Sequence, residues 1–281
     1  MRNLVWKRPA RAATARCLAA TAVLLASFLA IPEPASAAQC GGDFQTWLGA
    51  FSREAAAKGV SPRGLAVLHG LTSNPQVISL DRRQGVFKQS FEQFSGPRIA
   101  QRINKARSLM QQYASTLRRI EGQFGVPGGV VIAIWGLETD FGVSMGHQQS
   151  IRALATLAHD CRRPEMFQGE LLAALKIIDR GDLTPSEFRG AWAGEIGQTQ
   201  FLPSKYLRFA VDYDGDGRRD LVRSRADVLA STANYLKGYG WQRGQPWDEG
   251  THNFEVLRQW NRALVYAKTI AAFADRLENK R

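Results

Sequence analysis

The sequence shows no convincing alternation of apolar and polar residues, no internal repeat and no low-complexity linker. These absences argue against a sheet-dominated fold and against a solenoid. Charged residues make up only 22% of the chain and hydrophobic residues make up 44%, which is the composition of a folded globular protein rather than a disordered one. The 281 residues are enough for one large domain, or for two modest domains that each have a core.

Long hydrophobic runs are also rare. The main one extends from Cys17 to Ile31, after basic residues that end at Arg16, and Pro32 and the small residues 35–37 follow it. This order is typical of a cleaved signal peptide. A membrane anchor is the alternative, but the run is shorter than the roughly 20 residues that a spanning helix needs. We therefore predict a signal peptide at 1–37, a mature chain of 38–281 without a stable membrane anchor, and export to the periplasm.

Cysteine is scarce, with three residues in the whole chain. Cys17 lies in the predicted signal peptide, so Cys40 and Cys161 remain in an oxidising compartment, where an even number of cysteines favours pairing. We predict a disulfide between Cys40 and Cys161, with two buried free thiols as the alternative. Lipidation of Cys40 is disfavoured because Gln39, rather than a small residue, precedes it.

Acidic residues are outnumbered, and the formal net charge is +12. Five basic residues and one acidic residue fall within 1–37, so the mature chain would carry +8. A positive surface suits a polyanion. Nucleic acid and peptidoglycan with free stem-peptide carboxylates both qualify, and predicted export makes nucleic acid the less suitable of the two.

Helical periodicity covers most of the mature chain. We predict helices that begin after Asp43, after Ser61-Pro62, and at about Pro97, Gly129, Pro164, Ser224 and Arg262. The helix from about Pro97 is expected to reach Phe124, and a capping box at Thr184–Glu187 predicts a further helix start. Short strands are conceivable near 209–213 and 221–223, on either side of an acidic loop. The expected fold class is mainly α, with one compact body and a small inserted lobe at about 205–225.

Glu138 is the most informative single residue, because it lies near the end of a helix that is apolar on nearly every side. Burial disfavours the charged form of a carboxyl group, so such a group keeps its proton to higher pH, as a general acid must. A salt-bridged surface glutamate is the alternative. Asp140 is a poor second carboxylate unless the helix already ends at Thr139, since positions i and i+2 of a helix point in nearly opposite directions. Holding the turn towards Gly142 is its more ordinary role.

A second polar stretch extends from Gly194 to Ser204 and contains Gln198 and Gln200. Amide side chains both donate and accept hydrogen bonds, which suits sugar hydroxyl and N-acetyl groups. The neighbouring aromatic residues Trp192, Phe201 and Tyr206 are candidates for stacking on sugar rings, although aromatic residues more often belong to a core. On its own this stretch is also compatible with an ordinary polar loop.

Several ordered motifs resemble those of the lytic murein transglycosylases of the membrane-bound type B family. Leu137-Glu138-Thr139-Asp140-Phe141-Gly142 resembles the family's E-T-x-[FY]-G motif, and the residues from Gly197 to Ser204 resemble its G-x-x-Q-F-[ML]-P-S motif. Tyr206–Asp220, Ala233–Leu236 and the positions Asn261 and Tyr266 fit further blocks. The resemblance covers roughly residues 43–278.

This resemblance implies a lysozyme-like helical core and a single catalytic glutamate, Glu138. That residue would protonate the bond between N-acetylmuramic acid and N-acetylglucosamine, then accept the proton of the C6 hydroxyl as a 1,6-anhydro end forms. No cofactor takes part in this chemistry. The resemblance also implies that Gln200, Tyr235, Asn261 and Tyr266 line the sugar cleft, to which the amide argument adds Gln198.

Two positions depart from the family pattern. Ala191 stands where the family often has a serine that helps to orient the catalytic glutamate, and Glu195 stands where alanine is common. Glu195 is therefore a candidate substrate ligand or second carboxylate, and the second role would permit hydrolysis. A muramidase and a peptidoglycan-binding scaffold with weak catalysis stay open as alternatives, and we expect a monomer.

The acidic loop matches the first nine positions of a calcium loop, D-x-D-x-D-G-x-x-D, but Arg223 occupies the twelfth position, where a glutamate is needed. Asp227 is the candidate replacement, or else a capping residue that answers Ser224. A metal-free turn rich in aspartate is the alternative for the whole loop. The predicted ligands of a structural calcium or sodium ion are Asp212, Asp214, Asp216, Asp220 and Asp227.

Overall fold

The computed structural model describes residues 38–83 and 89–279, which belong to one compact unit. The predicted signal peptide at 1–37, with Cys17, lies outside the described residues. The helices are α1 Phe44–Ala57, α2 Pro62–Ala66, α3 Pro75–Arg82, α4 Phe91–Gln112, α5 Ala114–Phe124, α6 Gly128–Thr139, α7 Ser150–His159, α8 Pro164–Arg180, α9 Pro203–Phe209, α10 Arg225–Gly238, α11 His252–Trp260 and α12 Leu264–Leu277. Two short strands, β1 Gln148–Gln149 and β2 Arg189–Gly190, pair antiparallel.

Helix α6 is the centre of the molecule. Every residue from Gly128 to Gly136 is buried, as the apolar sequence on all sides of this helix predicts. Helices α4, α5, α10 and α12 pack around it. The helix emerges from the core only in its last turn, and this is where Glu138 lies.

Local signals place several helix ends correctly. The Asp43 side chain accepts a hydrogen bond from the backbone of Thr46 at the start of α1. Helices α5 and α8 end at Gly125 and Gly181, whose φ angles of 79° and 82° lie in the left-handed region that glycine adopts without steric cost.

The single long helix predicted from about Pro97 to Phe124 is wrong. The chain forms α4 and α5, which meet at Tyr113 (φ −100°, ψ 16°), and α4 already begins after Ser90, where Ser90 and Gln93 form a reciprocal capping box. Pro97 lies inside α4. The apolar spacing continues across the break because both helices face the same core, so periodicity alone does not reveal it.

The predicted helix start at Thr184 is also wrong. Thr184 and Glu187 make the expected capping contact, since the Thr184 N–H donates to the Glu187 carboxylate over 2.7 Å. No helix follows, because the next residues form β2, which pairs with β1, and Arg223 holds Glu187 in an ion pair of 2.7 Å. The strands considered near 209–213 and 221–223 are not formed either.

Among the described residues, no single helix is long and apolar enough to cross a membrane; α5 and α6 pass such a test only together, and they are bent by 109° at the break between them. The described residues do contain the disulfide between Cys40 and Cys161 that the sequence predicts, with 5.2 Å between the two Cα atoms. The cross-link ties the segment before α1 to the segment between α7 and α8.

Candidate active site

Glu138 is held by two side chains from the C-terminal part of the chain. The Trp260 indole N–H and the Tyr266 hydroxyl each donate to Glu138 Oε1 over 2.8 Å. Because both donors converge on one oxygen, the other oxygen, Oε2, is the one that can carry a proton towards a ligand.

The pKa of Glu138 is raised to about 7, and desolvation by the surrounding protein is the largest cause. The hydrogen bonds from Trp260 and Tyr266 lower the pKa, while the negative charge of Glu195 raises it. The side chain nevertheless remains partly exposed to solvent. Glu138 therefore combines access to a ligand with a pKa suited to general acid catalysis near neutral pH.

The turn after α6 has a demanding backbone conformation. Asp140 and Phe141 both have positive φ angles, 53° and 61°, which cost residues other than glycine about 1–2 kcal/mol each. Helix α6 ends at Thr139, so the i, i+2 argument of the sequence does not apply to Asp140, which adopts a left-handed conformation. Its carboxylate lies 3.6 Å from the Arg102 guanidinium, a contact that supports the turn. The turn reverses the chain directly after Glu138.

The loop from Gly194 to Leu202 supports this turn. The Thr139 hydroxyl donates to the Gln198 backbone carbonyl and accepts from the Gly142 N–H over 2.9 Å. The Trp135 indole donates to Gln198 Oε1 over 3.0 Å. The end of α6 is thus fixed to the Gly194–Leu202 loop by Trp135 and Thr139, which lie on either side of Glu138 along the helix.

Gln198 differs from its predicted role. Its side chain is only 5% exposed, and both polar atoms of its amide have protein partners. Oε1 accepts from the Trp135 indole, and Nε2 donates to the Val222 carbonyl over 2.9 Å. In this arrangement Gln198 joins α6 to the chain beyond the acidic loop and offers no free group to a sugar. The isolated sequence could not distinguish a framework amide from a ligand-binding one.

Gln200 lies at the bend of the same loop with a φ angle of 52°. Its Nε2 donates to the carbonyls of Gly197 and Met145 over 2.8 and 3.1 Å. The side chain is partly exposed. Gln200 therefore connects the loop to the segment before β1.

The three predicted residues from the C-terminal half have different positions. Tyr266 contacts Glu138 directly. Tyr235 donates to the Gln259 carbonyl over 2.8 Å, and its ring lies 4.7 Å from the ring of Trp260, so it supports the residue that holds Glu138. Asn261 lies between α11 and α12, where its side chain accepts from the Ala263 N–H over 3.0 Å.

Trp260 is the functional residue that the sequence argument missed. The only indication of its role in the sequence was its position next to Asn261, and nothing in the local sequence relates it to a glutamate 122 residues earlier. Of the aromatic candidates for stacking, Phe201 and Tyr206 are core residues that are 3% and 0% exposed, while Trp192 is partly exposed.

Of the two departures from the family pattern, Glu195 acts electrostatically on Glu138. Ala191 provides no hydroxyl, but Trp260 and Tyr266 already orient Glu138. Glu195 is partly exposed, and its Oε2 accepts from the Ala193 N–H over 3.0 Å. Desolvation raises the pKa of Glu195, and no arginine or lysine in the described part of the chain forms an ion pair with it.

The acidic loop brings together three of the five predicted metal ligands. Asp212, Asp214 and Asp227 each place a carboxylate oxygen within 4.8 Å of the others. The remaining two turn elsewhere, since Asp216 accepts from the Arg218 N–H over 2.8 Å and Asp220 pairs with Arg223 over 2.7 Å.

Asp227 is fully buried and comes from α10 rather than from the loop itself. Its carboxylate accepts from the backbone N–H groups of Tyr213 and Asp220, each over 2.7 Å, and so closes the loop. The Asp227 N–H donates to the Ser224 hydroxyl over 3.3 Å. The Asp227 carboxylate accepts from Tyr213 and Asp220 rather than from the Ser224 N–H, so the alternative of a reciprocal capping box is not formed. Desolvation raises the pKa of Asp227.

Comparison with known proteins identifies the family. Residues 43–250 match the family described as transglycosylase SLT domain. The chain belongs to this family. The matched region contains Glu138, the supporting loop and the acidic loop, whereas Trp260 and Tyr266 lie beyond it.

A curated relative is membrane-bound lytic murein transglycosylase B of Escherichia coli (strain K12), which is 40% identical over 134 residues. The alignment covers 47% of this chain and 37% of the relative, so the chain spans little more than a third of that protein's length.

Solved structures of transglycosylases share the fold. SltB3 from Pseudomonas aeruginosa, in complex with NAG-anhNAM-pentapeptide, has a TM-score of 0.80 at 32% identity, covering 85% of this chain and 80% of SltB3. The Escherichia coli lytic transglycosylase Slt35, in complex with calcium, has a TM-score of 0.76 at 25% identity, covering 87% of this chain and 97% of Slt35. The expected mainly helical, lysozyme-like transglycosylase fold is thereby confirmed.

Proposed function

We propose that this SLT-family chain is a peptidoglycan lytic transglycosylase, which cleaves the β-1,4 bond between N-acetylmuramic acid and N-acetylglucosamine and leaves 1,6-anhydro ends. The observation that carries the proposal is the position of Glu138, a partly exposed carboxyl group with a pKa of about 7 at the end of a buried helix. The SltB3 complex with an anhydromuramyl ligand supports the proposed product class.

In the first step, protonated Glu138 acts as general acid. Its Oε2 proton goes to the glycosidic oxygen as the bond from that oxygen to C1 of the muramic acid breaks. Trp260 and Tyr266 keep Oε1 fixed, and their hydrogen bonds stabilise the carboxylate that forms. Loss of the proton is therefore compensated inside the site.

In the second step, ionised Glu138 acts as general base. It accepts the proton of the C6 hydroxyl while that oxygen forms a bond with C1, which closes the 1,6-anhydro ring. The carboxyl group is protonated again and no water is consumed. A pKa of about 7 suits both halves of this cycle, because neither protonation state is strongly favoured near neutral pH.

Gln200, Tyr235, Asn261 and Tyr266 are proposed to line the sugar cleft around Glu138. Tyr266 donates to Glu138, Gln200 belongs to the loop that supports the turn after α6, and the Tyr235 ring lies 4.7 Å from that of Trp260. For Gln198 a positioning role is proposed instead, because its amide is already occupied by Trp135 and Val222.

Export to the periplasm, with cleavage of a signal peptide at 1–37, is proposed from the basic and apolar order of that segment. The mature domain would extend over 38–281 as a monomer, with the acidic loop in a small lobe at about 205–225. The substrate is located in that compartment, and the basic mature chain suits the carboxylates of its stem peptides.

A structural calcium ion is proposed for the acidic loop. Three carboxylates converge there, oxygen ligands suit this cation, and the related Slt35 was solved in complex with calcium. The ion would offset most of the negative charge of Asp212, Asp214 and the buried Asp227. It would stabilise the loop that holds Gln198 through Val222, without taking part in the reaction.

Hydrolysis of the same bond is the second candidate function, and Glu195 is the feature that favours it. Its negative charge acts on Glu138, and it has no cationic partner among the described residues. As a general base it would remove a proton from a water molecule whose oxygen bonds to C1, which gives a reducing end.

Mass spectrometry of the muropeptides released from purified sacculi tests the choice. We expect products one water lighter than a muramidase would give, and Glu138→Gln should release none. Reducing ends of full mass that disappear in Glu195→Ala would establish hydrolysis instead. Sacculi that are bound but not cleaved by the wild type would contradict both reactions.

A further inference from the structure

Ala38 is the first residue after the proposed cleavage position, and it is unusually well held for a residue near a chain end. It is only 6% exposed and its side chain belongs to the hydrophobic core. Its N–H donates to Glu54 Oε2 over 2.8 Å, and its carbonyl accepts from Gln168 Nε2 over 2.8 Å. Helices α1 and α8 thus bind both backbone groups of this residue.

Glu54 is a buried carboxylate, 4% exposed, with two different partners. Oε1 faces the Lys58 ammonium over 2.5 Å, while the partner of Oε2 within the described part of the chain is the Ala38 nitrogen. The Lys58 side chain is 52% exposed, so solvent screens much of its charge. A buried carboxylate in this position is well suited to a second, less exposed cation.

A small cavity of about 190 Å³ adjoins this contact. Glu54, Lys58, Gln168 and Glu165 line it, so it contains two carboxylates and one ammonium. An added positive charge would therefore balance the charges of the group.

We propose that the α-amino group of Ala38, once the peptide bond from Ala37 has been hydrolysed, forms an ion pair with Glu54 and so secures the mature N-terminus on α1 and α8. One water is consumed, and the products are the Ala37 carboxylate and the Ala38 ammonium. The same nitrogen changes from a neutral amide with one hydrogen to a cation with three, directly beside a buried carboxylate.

This arrangement makes export processing a stabilising step. Before cleavage the contact is a single hydrogen bond from an amide, and after cleavage it is a charge-assisted one. The site rests on the processing proposed above and is independent of the reaction at Glu138. The disulfide at Cys40 and the hydrogen bond of 2.8 Å from the Gly41 N–H to the His159 carbonyl continue the attachment of this segment.

The test uses the full-length chain, exported by a bacterial host and purified after processing. In a variant with Gly-Ser inserted between Ala37 and Ala38, the Ala38 nitrogen remains an amide, so its contact with Glu54 stays a neutral hydrogen bond. The terminal ammonium is moved two residues away from Ala38. N-terminal sequencing should find Ala38 first in the wild type and Gly-Ser-Ala in the variant. At pH 6 we expect the wild type to melt roughly 5 °C higher.

The pH dependence distinguishes a charge from a general effect of the insertion. Pairing with Glu54 raises the pKa of the amine above its ordinary value of about 8. The stabilisation is therefore complete below that value and is lost as the pH rises through the higher folded value. The difference in melting temperature should disappear at high pH.

Glu54→Gln keeps an acceptor oxygen and removes the charge, so it should destabilise the wild type more than the insertion variant. Asp248→Asn, at an exposed position outside this cavity, is the control and should affect both backgrounds equally. If Glu54→Gln does not fold, the insertion and its pH dependence are sufficient. Equal melting of wild type and insertion variant at pH 6, with Ala38 first, would overturn the ion pair alone, whereas a different first residue would overturn the processing as well.

Discussion

At the scale of single residues, Glu138 is subject to two opposing effects. Burial raises its pKa to about 7, while the donors Trp260 and Tyr266 stabilise the ionised form and lower the pKa. Burial has the larger effect, so a substantial fraction of the residue stays protonated near neutral pH, and the two donors limit how far the pKa rises. A helix end without those donors would provide an acid but a poor base.

Replacement of Glu138 by glutamine separates activity from stability. We expect cleavage to fall at least about 100-fold, because the general acid is lost, while both hydrogen bonds to Oε1 remain possible. Since the folded pKa is raised above the ordinary value of 4.5, the wild type loses stability as the pH rises from 4.5 to 7. Glu138→Gln should therefore be more stable at pH 8, by up to about 3 kcal/mol, and should gain nothing at pH 4.

Chemical denaturation at the two pH values measures this difference. Glu165→Gln, which removes an exposed carboxyl group from α8, controls for the change in net charge. Full activity of Glu138→Gln would exclude the residue as the acid, and equal stability gains at both pH values would exclude its raised pKa.

Replacement of Trp260 by phenylalanine tests the donor that sequence analysis missed. Removal of the N–H group should raise the pKa of Glu138 further, so the alkaline limb of the pH–rate profile should move to higher pH. We also expect kcat to fall about tenfold, because one donor no longer holds the carboxyl group. Trp241→Phe is the matched control, since the Trp241 indole is buried and has no hydrogen-bond partner among the described residues. An unchanged alkaline limb in Trp260→Phe would show that the contact has no influence on Glu138.

At the scale of structural elements, the site depends on how α6 ends. Gly142 has a φ angle of 84°, and a Cβ atom there would collide with the Gln198 amide, so the turn and the loop require a residue without a side chain at this position. Trp135, Thr139 and Gln198 then fix the turn by hydrogen bonds. The helix places Glu138 at the edge of the core, and the loop fixes the orientation of the helix end, so the site depends on both.

The acidic loop is connected to the site by a hydrogen bond from the Gln198 side chain to the Val222 carbonyl, just after the loop. If it binds calcium, removal of the ion with EDTA should lower the melting temperature and re-addition should restore it. A calcium concentration about 100-fold above the dissociation constant would stabilise the folded protein by about 2.7 kcal/mol. Asp214→Asn should abolish the response, while Asp248→Asn, at an exposed position outside the loop, should retain it. A wild type that melts identically with and without calcium would contradict the metal site.

At the scale of the whole molecule, the disulfide connects residues 121 positions apart. A cross-link that closes so long a loop restricts the unfolded chain strongly, and loss of such a bond typically costs about 2–5 kcal/mol. We expect a reductant to lower the melting temperature of the wild type and to leave a Cys40→Ser/Cys161→Ser variant unchanged. Alkylation of both cysteines without reductant would contradict the pairing in the purified protein.

Much of the helical architecture could be predicted from short stretches. Asp43 begins α1, Gly181 ends α8, and the uniformly apolar α6 had to be a core helix, because capping and burial are read from neighbouring residues. The break at Tyr113 and the strand pair could not be predicted this way. Both depend on which distant segments the chain meets, and periodicity contains no information about that.

The sequence by itself determined the mainly helical class, the cysteine pair and Glu138 as the carboxyl group at the end of a buried helix. These follow from residue chemistry and local spacing. Only the tertiary structure decided that Trp260 and Tyr266 hold Glu138, that Gln198 is a framework residue and that three of five aspartates converge. Hydrogen bonds act over about 3 Å in space, and their partners here lie up to 128 residues apart along the chain.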